Sequence, residues 1–169
     1  MSLTPKRPAE SATEMTQVVL PNDANPLGFI LGGTVMHLID IAGAIASFRH
    51  TRTRVVTASV DDLQFLHPIK VGDLIILKAR VTCAFTTSLE VEVEVFSEET
   101  LTGKRRMTSR AYLTFVAIGE HGERVPVPPL ALETAEDQRV ATAAHSPQTQ
   151  KAQVSDDSNR QSSLGLASF

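Results

Sequence analysis

Apolar and polar positions alternate most regularly over residues 89–95, where leucine and valine alternate with glutamate. A period of two residues predicts a β-strand, and we expect one buried face and one wet face that carries the glutamates. Three more long strands are predicted over 54–65, 74–85 and 104–118, and a short one over 16–20. Turn-forming glycine, proline, asparagine and aspartate separate most of these segments.

The strongest helix pattern runs from Thr34 to about His50. This segment has no proline and ends in basic residues, which suit the negative end of a helix dipole. It is apolar almost all the way round, and such a helix is normally buried on most sides. The order of strand, helix and four strands with short turns predicts an α+β domain. In it, an antiparallel sheet of about five strands wraps around one long central helix.

Both ends of the chain differ in composition from this central part. Residues 1–14 contain two prolines and show no periodicity, which predicts a flexible N-terminal arm. Residues 131–169 are mostly small and polar, which predicts a disordered C-terminal tail. The folded domain is therefore expected over 15–130. The N-terminus lacks the apolar stretch of a signal peptide, and the longest apolar segment, 35–48, is too short to span a bilayer.

The 169 residues carry a formal net charge of -3, so the overall charge gives no reason to expect nucleic acid or an anionic membrane as a partner. The single cysteine, Cys83, rules out an internal disulfide and suits a reducing compartment. We therefore expect a soluble, cytoplasmic protein. The histidines show no metal-ligand spacing, so no metal site is expected.

Asp40 is the acidic residue of the predicted helix, and helical spacing places it on one face with Gly33, His37, Ala44 and Ser47. An unpaired buried carboxylate costs several kcal/mol, so Asp40 must be paired, protonated or facing a wet cleft. Helix geometry alone favours a structural role, in which Asp40 caps a neighbouring strand or bonds His37. The alternative is a catalytic carboxylate in a cleft.

Gly32 and Gly33 precede this helix and allow two interpretations. A tight turn could require glycine for its backbone conformation. Alternatively, the free amide groups and positive dipole of the helix N-terminus could hold an anion or a polarised carbonyl, which glycine would allow to approach closely. The two residues alone do not decide between these alternatives.

An ordered series of short motifs extends through most of the chain. Its members are 22–33, Leu38-Ile39-Asp40, Ala42-Gly43-Ala44, Arg49-His50, 55–61, Phe65, Pro68-Ile69, Val71-Gly72-Asp73, Thr87-Ser88 and 114–117. This series resembles the signature of hot-dog-fold acyl-CoA hydrolases. The resemblance spans about residues 15–129, and the ordered spacing makes it far more specific than a glycine pair alone.

The resemblance implies hydrolysis of a fatty acyl-CoA thioester to the free acid and CoA, without a cofactor. The family's catalytic pair is an asparagine before the helix and a helix carboxylate from the opposite subunit, which fall on Asn25 and Asp40. Asp40 would be the general base or the nucleophile, and Asn25 would position the water or the thioester. The backbone N–H of Gly33, beside Gly32, is the candidate oxyanion donor. For Asn25 the alternative is a turn residue that bonds its own backbone.

CoA carries phosphates, so basic residues are expected at its site. Lys104-Arg105-Arg106 is the densest basic cluster, although a solvated strand end is an equal alternative. Thr87-Ser88 resembles the family's CoA-contacting turn. The glycine that usually precedes this turn is absent, since Phe85-Thr86 stands there. We therefore expect altered contacts at the CoA edge or altered acyl preference, and not loss of the reaction.

A single sheet around a single helix leaves strand edges and an apolar flank uncovered, so we expect at least a homodimer. The family implies a hexamer built as a trimer of dimers. Acyl-CoA is the expected partner, with no nucleic acid and no membrane insertion. The alternatives on the same fold are a non-catalytic acyl-CoA-binding domain and a hydrolase of small aromatic CoA esters. A dehydratase would need a histidine in the loop before the helix, which this loop lacks.

Overall fold

A five-stranded sheet and one long helix occupy most of residues 3–144, the part of the chain that the computed structural model describes. The elements in chain order are α1 (Pro8–Ser11), β1 (Thr13–Val18), α2 (Gly32–Thr51), β2 (Arg54–Phe65), β3 (Leu74–Ala84), β4 (Ser88–Glu98), β5 (Arg105–Ile118) and α3 (Ala135–Ala144). A single 3₁₀ turn, Pro21–Asp23, precedes α2. The predicted strands and the predicted helix are all present, with bounds that differ by a few residues.

The strands are arranged in the order β1-β3-β4-β5-β2, and all four pairings are antiparallel. β1 and β2 form the two edges, and α2, which lies between them in the chain, packs across one face of the sheet. The edge strand β2 has two register shifts against β5, between Thr57 and Ser59 and between Asp61 and Gln64. The predicted α+β arrangement is confirmed.

The core lies between α2 and the inner face of the sheet. Val35, Leu38, Ile39, Ala42 and Ala46 of the helix pack against apolar residues that alternate along β3, β4 and β5. Alternation places these residues on one face because successive side chains of a strand point in opposite directions. Helix and sheet pack closely at Gly43, where a Cβ would lie 2.9 Å from the Phe115 ring. No helix among the described residues is long and apolar enough to cross a membrane.

The side of α2 that faces away from the sheet is open within a single chain. Met36 and Phe48 are 46% and 45% exposed, and His37 is exposed as well. Val56 and Val60 of the adjacent edge strand are also exposed. The helix is therefore buried on most sides, but part of its apolar surface near both ends is uncovered within residues 3–144.

The outer face of β4 also differs from the prediction. Glu90 and Glu92, which we expected in water, are only 7% and 6% exposed. Arg80 of β3 donates to Glu92 Oε2 at 2.9 Å, and Tyr112 of β5 donates to Glu92 Oε1 at 3.0 Å. Thr82 donates to Glu90 Oε1 at 2.9 Å. Polar side chains from the neighbouring strands β3 and β5 therefore cover these carboxylates. The alternation within β4 shows which face is polar, but it does not show these partners on other strands.

The two ends of the described chain are more ordered than the sequence indicates. Lys6 Nζ donates to the carbonyl of His50 at 2.7 Å, Ser11 in α1 is fully buried, and β1 begins at Thr13. At the other end, α3 packs against β3 and buries Val140. Residues 6–14 and 131–144 therefore differ from the predicted arm and tail, because each makes contacts with the domain. Residues 1–2 and 145–169 lie outside the described part.

Candidate active site

Asp40 lies half-buried on the open side of α2. Its Oδ1 accepts a hydrogen bond of 2.6 Å from the Thr57 hydroxyl on β2, and within residues 3–144 this is the only hydrogen bond of the carboxylate. Asp40 therefore bonds the neighbouring strand and not His37. Since one oxygen has no protein partner in the described chain, the carboxylate keeps the capacity to accept a further proton or hydrogen bond.

Thr57 is a site residue that sequence reasoning did not single out. It lies near the start of the edge strand, exposed, and its hydroxyl reaches across to the helix. In the sequence, Thr57 is only the third residue of the Val55-Val56-Thr57 motif. The signal was its place in that motif, but its contact with Asp40 depends on how β2 packs against α2.

Asn25 forms the turn that the sequence offered as its alternative role. Its Oδ1 accepts hydrogen bonds from the backbone N–H groups of Leu27 and Phe29, at 3.0 and 3.2 Å. Two N–H donors require an acceptor, which fixes the carboxamide with its oxygen towards the turn. The Nδ2 group consequently points away from these donors, and it has no hydrogen bond within the described residues. The turn role therefore leaves the donor end of Asn25 available.

Asn25 and Asp40 are not hydrogen-bonded to each other within the described chain. The loop that carries Asn25 joins the start of α2, where Leu31 N donates to the carbonyl of Asp23. Asp40 lies about 12 Å further along the helix, at a rise of 1.5 Å per residue. A single chain thus holds the two predicted catalytic groups apart.

Gly32 and Gly33 form the first turn of α2. Neither has a positive φ, so the interpretation as a turn that requires glycine for its backbone is wrong. A Cβ at Gly33 would meet no atom within 4 Å, whereas a Cβ at Gly32 would touch the Phe65 ring at 3.6 Å. The packing of the chain therefore does not require glycine at Gly33, and the space beside its Cα is open.

The predicted CoA-binding residues lie at two ends of the sheet. Thr87 and Ser88 form the turn from β3 to β4, next to the end of β5, while Lys104-Arg105-Arg106 stands at the start of β5. The length of β4 separates the two groups by roughly 30 Å at about 3.3 Å per residue. Arg105 also pairs with Glu98 at 2.7 Å. One chain therefore does not combine these residues into one site.

Among the described residues, no group of three or more histidine, cysteine, aspartate or glutamate side chains could hold a metal ion. The groups with chemical capacity are instead a carboxylate, a carboxamide donor and a helix N-terminus. This is a set suited to general base catalysis and to stabilising an oxyanion.

Comparison with known proteins shows which family the chain resembles. The sequence model of the thioesterase superfamily matches residues 27–104. The uncharacterized acyl-CoA thioester hydrolase YkhA of Bacillus subtilis (strain 168) is 41% identical over 128 residues, which are 76% of this chain and 74% of the relative.

Solved structures match over almost the whole chain. The acyl-CoA hydrolase of Staphylococcus aureus, in complex with butyryl coenzyme A, coenzyme A and coenzyme A disulfide, has a TM-score of 0.81 and 33% identity, covering 96% of this chain and 99% of that one. An apo-hexameric acyl-CoA thioesterase has a TM-score of 0.80 and 36% identity, covering 97% and 99%. The chain therefore belongs to the hot-dog-fold acyl-CoA thioester hydrolases of the thioesterase superfamily.

Proposed function

We propose that this enzyme hydrolyses fatty acyl-CoA, with Asp40 as general base or nucleophile and Asn25 of the partner subunit positioning the water or the thioester. The observation that carries the proposal is the half-open Asp40 carboxylate, which is held by a single hydrogen bond from Thr57. A carboxylate fixed through one oxygen is oriented, yet its other oxygen can still take a proton or attack. A positioned base contributes on the order of 10²–10⁴ in rate.

The N-terminus of α2 supplies the complementary electrophilic group in this proposal. The first N–H groups of a helix have no partner within the helix, and within residues 3–144 the N–H of Gly33 donates no hydrogen bond. One preorganised donor to a developing oxyanion is typically worth ~2.7–4 kcal/mol. The backbone N–H of Gly33, with Gly32 beside it, is thus the proposed oxyanion donor, and none of these steps needs a cofactor.

Mutants of a relative support the assignment of the polar residues. Structures of the Staphylococcus aureus acyl-CoA hydrolase are known in which one asparagine, one aspartate or one threonine is replaced by alanine. The three positions have the same spacing along that chain as Asn25, Asp40 and Thr57 have here. The agreement favours a role for all three side chains, including Thr57, which orients the carboxylate.

A dimer through the edge strand β2 would bring the two groups together. Gly32 lies beside Phe65 at the end of β2, whereas Asp40 bonds Thr57 near its start. In a two-fold antiparallel pairing, the end of one β2 lies next to the start of the other. Asn25 and Gly33 of one chain would then approach Asp40 of the other, and the exposed apolar residues Val56 and Val60 flank this edge.

The proposed assembly is a hexamer made of three such dimers. It is supported by hexameric acyl-CoA thioesterases among the structural relatives. We also propose a cytoplasmic location. Burial raises the pKa of Cys83 to about 11, so this single cysteine remains a protonated core thiol, which suits a reducing compartment.

The test is a mixing experiment with two variants, Asn25→Ala and Asp40→Ala, assayed with palmitoyl-, butyryl- and benzoyl-CoA. Each variant alone should lose at least about a hundredfold in kcat. If the two groups come from opposite chains, a mixed dimer contains one intact site of its two. Equal mixing after dissociation should then restore about a quarter of wild-type activity, because half of the dimers are mixed.

If verified mixed dimers remain inactive, both groups act within one chain. Full activity of either variant alone would remove that residue from the mechanism. Preference for benzoyl-CoA over both straight-chain substrates would replace the fatty acyl assignment with that of an aromatic CoA ester hydrolase.

A further inference from the structure

A cleft of about 570 Å³ opens at the C-terminal end of α2, at the other end of the helix from Gly33. It is formed where the helix turns into β2 and where β5 ends, because Arg54 of β2 pairs with Ile118 of β5. Its lining residues are Phe48, Arg52, Thr53, Arg54, Ile118, Gly119 and Glu120. The cleft thus combines aromatic, apolar and charged side chains that come from two distant parts of the sequence.

The charges of this cleft favour an anion. Arg52 and Arg54 are both exposed, and neither forms an ion pair or a side-chain hydrogen bond within residues 3–144. Glu120 is the acidic residue of the lining. The negative end of the helix dipole is countered by Lys6, whose Nζ donates to the carbonyls of His50 and Arg49 at 2.7 and 3.3 Å. Two unpaired guanidinium groups therefore face one carboxylate.

The apolar part of the cleft provides a surface for a planar group. Phe48 is a large aromatic side chain left nearly half exposed beside the two arginines. Aromatic rings and guanidinium planes are the usual stacking partners of nucleobases, and arginine binds phosphate through paired N–H donors. A phosphorylated nucleoside matches both halves of this lining.

The cleft also lies at a suitable place relative to the proposed reaction centre. Asp40, Ala44 and Phe48 follow one another in steps of four residues along the open face of α2. The eight residues from Asp40 to Phe48 correspond to about 12 Å, and Arg52 lies one further turn away. The pantetheine arm of CoA, which separates the thioester from the phosphates, is an extended chain that covers such a distance.

The Thr87-Ser88 turn lies at this same end of the sheet. The Thr87 carbonyl accepts a hydrogen bond of 2.9 Å from Ala117 N, directly before Ile118 of the cleft. Arg54, which pairs with Ile118, therefore lies at the same end of the sheet as this turn, whereas Lys104-Arg105-Arg106 stands at the opposite end.

We propose that the cleft binds the phosphorylated adenosine end of CoA, with Arg52 and Arg54 on the phosphates and Phe48 against the base. This proposal rests on the proposed function, since it places the reacting thioester at Asp40. It assigns these three side chains to substrate binding, away from the reacting carbon, so they act on affinity and on the choice between thioesters.

The experiment compares hydrolysis of an acyl-CoA with that of the same acyl-pantetheine, which lacks the phosphates and the base. We measure the preference, defined as kcat/KM for acyl-CoA divided by kcat/KM for acyl-pantetheine. Arg52→Ala/Arg54→Ala should lower this preference at least about tenfold through a higher KM for acyl-CoA, because the charge-assisted hydrogen bonds to the phosphates are lost. Glu120→Gln should raise it.

Arg139→Ala is the matched control, since it removes one exposed cation from α3 on the outer side of the sheet. An unchanged preference in the double variant, or an equal loss in the control, would overturn the proposal. If no thioester is hydrolysed at all, the proposed function fails by itself. Calorimetric binding of CoA to wild type and to the double variant then still tests the cleft, and equal affinity would reject it.

Discussion

Asp40 on the helix and Glu92 on the sheet are two acidic groups with opposite environments. Asp40, inside an apolar helix pattern, is half exposed with one neutral partner, Thr57. Glu92, in an alternating strand with a polar face, is buried and accepts hydrogen bonds from Arg80 and Tyr112. The pattern along one element shows which face is polar, but it does not show what covers that face.

The difference separates structural from chemical use of a carboxylate. Glu92 has its oxygens taken up by Arg80 and Tyr112, and burial together with Glu92 raises the pKa of Tyr112 to about 12. Such a closed group holds strands together but cannot react. Asp40 has few partners in its own chain and therefore remains available. Replacing each group should affect different measurements.

The largest effect on folding is expected from Glu92→Ala. Removing the carboxylate leaves Arg80 and Tyr112 without their buried partner, so we expect the unfolding free energy to fall by about 3 kcal/mol. Urea denaturation at one fixed protein concentration measures it. Glu98→Ala is the control, because its ion pair with Arg105 is more exposed and should contribute no more than about 1 kcal/mol. Equal losses in both variants would mean that burial of Glu92 adds nothing.

Asp40→Asn should produce the reverse result. Because Asp40 is half exposed and makes one hydrogen bond, the unfolding free energy should change by no more than about 0.5 kcal/mol. The turnover number should nevertheless fall by at least about a hundredfold, since the base or nucleophile is lost. Steady-state hydrolysis and urea denaturation of the same preparation give both values. Activity within a few-fold of wild type would exclude Asp40 from the chemistry.

Two helix glycines extend the comparison to the two sides of α2. Gly43→Ala places a methyl group 2.9 Å from Phe115, so it should destabilise the fold by about 1–3 kcal/mol. Gly33→Ala meets open space in the chain and should stabilise it by up to about 1 kcal/mol, while lowering kcat/KM at least about tenfold because the methyl group intrudes on the thioester. Unchanged activity of Gly33→Ala would contradict a substrate at the helix N-terminus.

The smallest expected effect concerns the buried imidazole of His50. Its Nε2 donates to the Pro128 carbonyl at 2.8 Å, and its Nδ1 has no partner among the described residues. Burial lowers the pKa of His50, because the charged ring would lose its hydration. The unfolded chain binds this proton near pH 6.5. The unfolding free energy should therefore fall as the pH drops below about 6.5, by no more than about 1.4 kcal/mol per pH unit.

Denaturation between about pH 8 and about pH 5, a range that lies on both sides of the ordinary histidine pKa, measures the slope. The proteins compared are wild type, His50→Gln and His121→Gln. His50→Gln should flatten the slope, and exposed His121→Gln should leave it as it is. Identical slopes in all three proteins would show that His50 does not carry the pH dependence.

The sequence predicted the elements of this fold well for a physical reason. The alternation over 89–95 and the apolar run over 34–50 are local consequences of how strands and helices bury one face. β4 and α2 accordingly appear where those patterns stand, extended by a few residues. The catalytic candidates Asn25 and Asp40 came from motif spacing, which is also local.

What the sequence did not predict depends on contacts between elements. Cross-strand partners such as Arg80 bury Glu92, and the packing of β2 against α2 joins Thr57 to Asp40. No single stretch of the sequence indicates the cleft, because its lining residues come together only where Arg54 pairs with Ile118. The cluster Lys104-Arg105-Arg106 was conspicuous in the sequence because its residues are adjacent, but adjacency did not show that it stands at the other end of the sheet from Thr87-Ser88.

The two register shifts of β2 limit which other strands can pair with this edge of the sheet. Residues on either side of a bulge cannot all match a regular strand, so a foreign extended peptide would lose ladder hydrogen bonds at two points. A second copy of the same strand, related by two-fold symmetry, carries the same irregularities and closes the edge after one addition. The bulges therefore protect the single chain against open-ended aggregation before it pairs with a second copy.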